Sequence, residues 1–161
     1  DDATYIGAIT RAPQLDVLEH QVADAVSKGA RLLLGGHRIH QPGNWFEPTV
    51  LADVNHDMEL MREESFGPVI GIQSVADDDE AVSLMNDTRY GLTAGVYTRD
   101  VKTAEALLAR VNAGSVYWNC CDRVSPRLPW SGRGDSGIGL TLSTYGIQAF
   151  TRPKAWHLRQ P

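Results

Sequence analysis

Apolar positions follow two rhythms along this chain: every third or fourth residue in some stretches, and short unbroken runs in others. Residues 13–28 carry the first, with Leu15, Leu18, Val22, Ala25 and Val26 at helical spacing, Pro13 opening and Gly29 closing. Arg31-Leu32-Leu33-Leu34 is a short apolar run ended by Gly35-Gly36, which predicts a strand. The polar stretch 37–45 contains the turn signal Pro42-Gly43. Phe46 to Val50 is expected to be extended, with Pro48 placing it on an edge or at a kink. A short helix near Asp57–Glu64 then leads to the strand-like run Pro68–Ile72. Asp77-Asp78-Asp79-Glu80 crowds carboxylates where a helix dipole favours them, ahead of Ala81, Val82, Leu84 and Met85. That helix is expected to end near Asn86-Asp87. Leu92–Thr98 reads as a strand, and Asp100 caps a helix bearing Val101, Ala104, Leu107, Leu108 and Val111, closed by Gly114. Ser115–Asn119 reads as a strand again, making a βαβ unit with parallel strands. The stretch up to about Gly139 is irregular and rich in Gly and Pro. A helix over Ser143–Phe150 and a terminal strand over Lys154–Arg159 follow. The fold class is α/β, with a mainly parallel sheet flanked by helices.

Composition narrows the function. At 161 residues the chain has the length of one domain. A net charge of -5 and a pI near 5.4 do not supply the basic face that nucleic acid requires. No apolar run reaches bilayer length, so no membrane is implied. Asp1-Asp2-Ala3-Thr4-Tyr5 has no Met, basic region or apolar region, and reads as a cut end rather than a signal peptide. The two cysteines, Cys120 and Cys121, are adjacent, so no disulfide framework exists and a reduced, cytoplasmic setting is implied. Vicinal thiols with no second pair are a poor zinc site, and no metal is expected. His37 and His40 read as surface residues, and His20, His56 and His157 as isolated ones.

The densest chemistry lies in Glu63-Glu64-Ser65-Phe66-Gly67-Pro68. A carboxylate can accept from two vicinal ribose hydroxyls at once, and an aromatic can flank a flat ring. The same residues also read as a solvated acidic pair at a helix end followed by a core phenylalanine.

This segment resembles the cofactor-contacting motif of the aldehyde dehydrogenase superfamily. The resemblance extends through Asn44-Trp45-Phe46-Glu47-Pro48-Thr49-Val50-Leu51, Asn86-Asp87-Thr88-Arg89-Tyr90-Gly91-Leu92-Thr93-Ala94-Gly95-Val96, Ala113-Gly114-Ser115-Val116-Tyr117-Trp118-Asn119, and Pro129-Trp130-Ser131-Gly132 with Ser136-Gly137-Ile138-Gly139. It implies that residues 1–150 are part of the catalytic domain, its C-terminal portion, and that 151–161 form an oligomerisation strand. It also implies oxidation of an aldehyde to a carboxylic acid with NAD or NADP. In the family a cysteine thiolate attacks the carbonyl, hydride leaves to the cofactor, and a glutamate activates water to hydrolyse the thioester. Both catalytic residues are expected upstream of this chain, which by itself is expected to be inactive.

By the same resemblance Glu64 contacts the nicotinamide ribose and Phe66 packs beside the nicotinamide. Trp130 faces the substrate, Asp122 lies in the loop at the tunnel mouth, and Val124 lines the tunnel. An aromatic face with an acidic neighbour favours an aldehyde bearing an ammonium group, such as an aminoaldehyde or betaine aldehyde. The expected partners are a small aldehyde and further copies of the chain or the missing N-terminal portion. Three departures stand out: Ser131 in place of a glycine, Gly134 where lysine is common, and no proline after Gly7. The second creates Arg133-Gly134-Asp135, an adhesion tripeptide, which as a ligand would need an exposed mobile loop. A non-catalytic binding or assembly module derived from the enzyme is the rival reading.

Overall fold

The structure is a computed structural model and describes residues 3–121 and 123–161. The chain forms two compact units, Asp1–Ala76 and Asp77–Pro161.

In the first unit, α1 spans Ala12–Ser27, with a proline in its first turn, where the missing N–H costs nothing. It ends where Gly29 takes φ +102° and the Ala30 N–H donates to the Ala25 carbonyl at 2.9 Å. That left-handed closure suits glycine. Its buried face is Leu15, Leu18, Gln21, Val22 and Ala25, whereas Val26 is exposed. Strands β1 (Arg31–Leu34), β2 (Thr49–Ala52) and β3 (Val69–Ile72) lie in the order β1-β2-β3.

The sheet of this unit is mixed rather than purely parallel. β2 is parallel to β3 but antiparallel to β1. The chain turns through Gly35 and Gly36 at positive φ and returns with Arg38 bridged to Phe46. That path is a hairpin-like return with no crossover helix, so the strands it joins run antiparallel. Pro48 stands one residue ahead of the central strand, outside the ladder. The helix expected over 57–64 is a single 3-10 turn, Glu59–Met61.

The core of this unit joins Leu15, Leu18, Val22 and Ala25 to Phe46, Leu51, Val54, Met58 and Leu60. A polar edge fixes α1 to the 3-10 turn: Asp24 accepts from the Glu59 N–H at 2.9 Å and pairs with Lys28 at 2.7 Å. The Lys28 hydrogen bond, then the Glu59 N–H, lowers the Asp24 pKa.

In the second unit, α2 (Asp78–Asn86) is capped by Asp77, which accepts from the Glu80 N–H at 2.9 Å. β4 (Thr93–Val96), α3 (Val101–Leu108) and β5 (Ser115–Trp118) form the expected βαβ unit, in parallel register from Thr93↔Ser115 to Val96↔Trp118. α3 ends well before Gly114, which serves a different purpose described below. α4 covers Ser143–Gln148. Lys154–Arg159 forms no strand, and residues 151–161 are exposed. A strand needs a neighbouring edge for its backbone groups, and among the described residues this segment pairs with none. Among the described residues no helix is long and apolar enough to cross a membrane.

Two outcomes follow for stability. Gln21 is only 1% exposed, and its side-chain oxygen has no hydrogen-bond partner. Gln21→Met removes an unpaired buried carbonyl at similar volume, and urea unfolding is expected to show a gain of about 1 kcal/mol. Asp100 caps α3 through Thr103, whose hydroxyl and N–H lie at 2.6 and 2.9 Å, and these bonds lower its pKa, the hydroxyl most. A depressed carboxylate contributes stability above its unfolded pKa and loses it as pH falls through the folded value. Asp100→Asn keeps a capping oxygen, so it should match the parent near neutrality and lose less stability on acidification. Asp100→Ala should lower the urea midpoint already at neutral pH.

Candidate functional site

The first candidate surface is built around the loop 63–68. Phe66 is 76% exposed and holds φ +45°, so within this chain it is not a core residue. Its ring borders an open hollow of about 490 Å³ with Ala8, Ile9, Thr10, Arg11 and Gln14. Three contacts fix that hollow. Asn44 accepts from the Ile9 N–H at 2.7 Å through its carbonyl, and its side-chain amide donates back to the Ile9 carbonyl at 3.1 Å. Gln14, in the first turn of α1, donates to the Ser65 carbonyl at 2.5 Å. Gly67 lies so near α1 that a Cβ there would meet the Leu18 side chain at 2.5 Å. Glu64 is exposed and does not border the hollow, although it is two residues from Phe66. Arg11 was not anticipated and supplies a positive charge to the hollow's rim. An apolar ring, an amide and a guanidinium together suit a flat polar ligand with a negative group.

The second candidate surface is in the other unit. Trp130 borders a hollow of about 210 Å³ with Gly114, Val116, Tyr117, Arg123 and Leu128 among its neighbours. Its backbone pairs with Thr141, donating at 2.8 Å and accepting at 2.9 Å. A Cβ on Gly114 would fall 1.7 Å from the Ser131 carbonyl oxygen, so the Pro129–Gly132 turn rests directly on the residue that precedes β5. Val124 is exposed and does not border this hollow. Asp122 lies outside the described residues. Arg123 is the feature that sequence reasoning missed, and its adjacency to the Asp122 position was the available signal.

The Arg133-Gly134-Asp135 tripeptide is tied down. Asp135 pairs with Arg89 at 3.2 Å, and its N–H donates to the Arg89 carbonyl at 2.9 Å. Gly134 bridges Tyr90. An adhesion ligand needs a mobile loop, and this one is pinned. His20, expected to be isolated, lies 2.9 Å from the Glu59 carboxylate. Among the described residues no group of three His, Cys, Asp or Glu is placed to share a metal ion.

Residues 1–156 match the sequence profile of the Aldehyde dehydrogenase family. The chain belongs to this family. It is 39% identical over 150 residues to the succinate semialdehyde dehydrogenase [NAD(P)+] Sad of Escherichia coli (strain K12), covering 93% of this chain and 32% of that protein. Lactaldehyde dehydrogenase from Escherichia coli superposes with a TM-score of 0.89 at 33% identity, over 93% of this chain and 31% of that one. Betaine aldehyde dehydrogenase from Staphylococcus aureus, in complex with NAD+, superposes with a TM-score of 0.88 at 30% identity, over 93% of this chain and 31% of that one. The chain spans about a third of the length of the curated relatives it matches.

For an aldehyde dehydrogenase chain, the Phe66 geometry gives a distinctive expectation. A non-glycine residue at positive φ is strained by about 1–2 kcal/mol, and an exposed ring returns little burial energy. Phe66→Gly should therefore leave the urea midpoint unchanged or raise it. A packed phenylalanine would instead cost about 3–5 kcal/mol on truncation.

Proposed function

We propose that this chain is the C-terminal part of the catalytic domain of an NAD(P)-dependent aldehyde dehydrogenase. It would supply one wall of the cofactor site and one wall of the substrate passage. The nucleophilic cysteine and general-base glutamate would belong to the part of the relatives' length that this chain does not span. Residues 151–161 would find their missing strand neighbour in another copy or in that other portion.

The observation that carries this reading is Phe66. Within this chain a large ring stands exposed at positive φ, beside a hollow braced by Asn44 and Gln14. Strain of this kind gathers at binding sites. Bound NAD(P)+ would accept the hydride. Phe66 would limit where the nicotinamide sits, and Glu64 would accept from the adjoining ribose hydroxyls. Both tasks are positional.

The substrate end has two opposed groups. Trp130 attracts a cation by about 0.5–2 kcal/mol. Arg123 borders the same hollow and repels one. A planar guanidinium pairs well with a carboxylate. This favours an aldehyde with an anionic or neutral tail over the ammonium-bearing class suggested by Trp130 and Asp122. Val124 and Asp122 would then shape the passage near Arg123 without fixing the substrate's charge.

The tests use the enzyme that contains this chain, with NAD(P)H formation followed by absorbance. Glu64→Gln should lower kcat/KM for the cofactor roughly tenfold or more and leave the aldehyde KM unchanged. Cofactor kinetics identical to the parent would remove the ribose role. Arg123→Gln should shift the ratio of kcat/KM for succinic semialdehyde over betaine aldehyde severalfold toward betaine aldehyde. A constant ratio would discard the charge assignment.

A further inference from the structure

Beyond this reading, Cys120 and Cys121 stand out as the only cysteines of the chain, both free and directly adjacent. They leave the end of β5, where the backbone is unusually well held. Asn119, at φ +51°, donates from its side-chain amide to the Thr98 carbonyl at 2.8 Å and accepts from the Thr98 N–H at 3.0 Å. Trp118 donates to the same carbonyl at 2.9 Å. The Cys120 carbonyl then passes over Gly95, where a Cβ would meet it at 3.5 Å. Cys121 is exposed and Cys120 half-buried. Tyr97 follows directly on β4, and desolvation first, then Cys121 and Cys120, raises its phenol pKa. Two residues beyond Cys121, Arg123 borders the Trp130 hollow.

We propose that Cys120 and Cys121 form a reversible redox site that takes hydrogen peroxide or a trivalent arsenical and alters the Trp130 hollow. Adjacent Cα atoms lie about 3.8 Å apart, closer than the 4.4–6.8 Å usual for disulfides. A bridge between neighbours is therefore strained, and strained bridges are the easily reduced, regulatory kind. The exposed Cys121 thiolate attacks peroxide, forming an S–O bond while the O–O bond breaks and hydroxide leaves; that hydroxide takes a proton to become water. The Cys120 thiol then attacks the Cys121 sulfenic acid, forming the S–S bond and releasing a second water. Two electrons pass from the thiols to the peroxide. Asn119 holds the upstream side against Thr98, so the displacement is directed downstream, toward Arg123.

The test titrates the reduced chain with hydrogen peroxide and follows thiol count, intact mass and peptide maps. The expected result is loss of both thiols together in a monomer lighter by two hydrogens, reversed by dithiothreitol. Phenylarsine oxide bound one per chain should block the reaction. Cys120→Ser should instead stop at an oxygen adduct on Cys121. Over-oxidation of a single sulfur in the parent, or disulfide-linked dimers, would overturn the site. Hydrogen exchange of residues 123–130 should change on oxidation and recover on reduction. Unchanged exchange in a chain that does form the bridge would overturn its control of the hollow.

Discussion

The second unit depends on one close backbone approach. Gly114 lies so near Ser131 that no side chain fits between them. Around this contact the Gly91 carbonyl accepts from the N–H groups of Gly114 at 2.9 Å and Arg133 at 3.0 Å, while the Gly91 N–H donates to the Ser136 hydroxyl at 3.0 Å. Segments far apart in sequence therefore meet through main-chain groups. The hollow beside Trp130 is lined by Gly114–Tyr117 and Leu128–Trp130 among others. Gly114, at the junction itself, thus also lines the hollow. The departures from the family pattern fit this geometry. The Ser131 carbonyl makes the nearest approach, and Ser131 does not adopt positive φ, so glycine is not required at that position. Gly134 is at φ +54°, where a Cβ would lie 2.2 Å from the Arg89 carbonyl oxygen.

What the sequence made legible was local. Asp100 caps the helix it precedes because a short side-chain oxygen reaches N–H groups two or three residues on, and the carboxylates of 77–80 fall at the start of α2. The βαβ unit was legible because strand, helix and strand follow without interruption. The antiparallel β1–β2 pair was not, since strand direction followed from the backbone path through Gly35 and Gly36. Gln21 was missed because a polar residue on an apolar face reads as a gap in the stripe. The terminal segment 154–159 is not a strand within this chain, and its pairing depends on a neighbouring edge that local sequence does not specify.

The site divides in the same way. Phe66 stood out as an aromatic beside paired carboxylates, but its exposure within this chain was not legible from the sequence. The residues that share its hollow were not legible, because the segment 8–11 is held by Asn44, 35 residues away from Ile9. Arg123 went unnoticed because a single charged residue in an irregular stretch has no periodicity to mark it.

The position of the Phe66 ring is settled on both sides of it. The Ser65 carbonyl is fixed by Gln14, and Gly67 is pressed against Leu18, a fully buried residue of α1. With its neighbours held, Phe66 has little backbone freedom, and positive φ is the conformation that joins the two anchors. The entropy of ordering the ring's backbone is then spent during folding, so a ligand meeting it pays less for that order. This links the core to the candidate surface: Leu18 packs against Gly67, Gly67 neighbours Phe66, and Phe66 lines the hollow. Change at Leu18 would be felt at the hollow through that chain of contacts, without any residue bordering the hollow being altered.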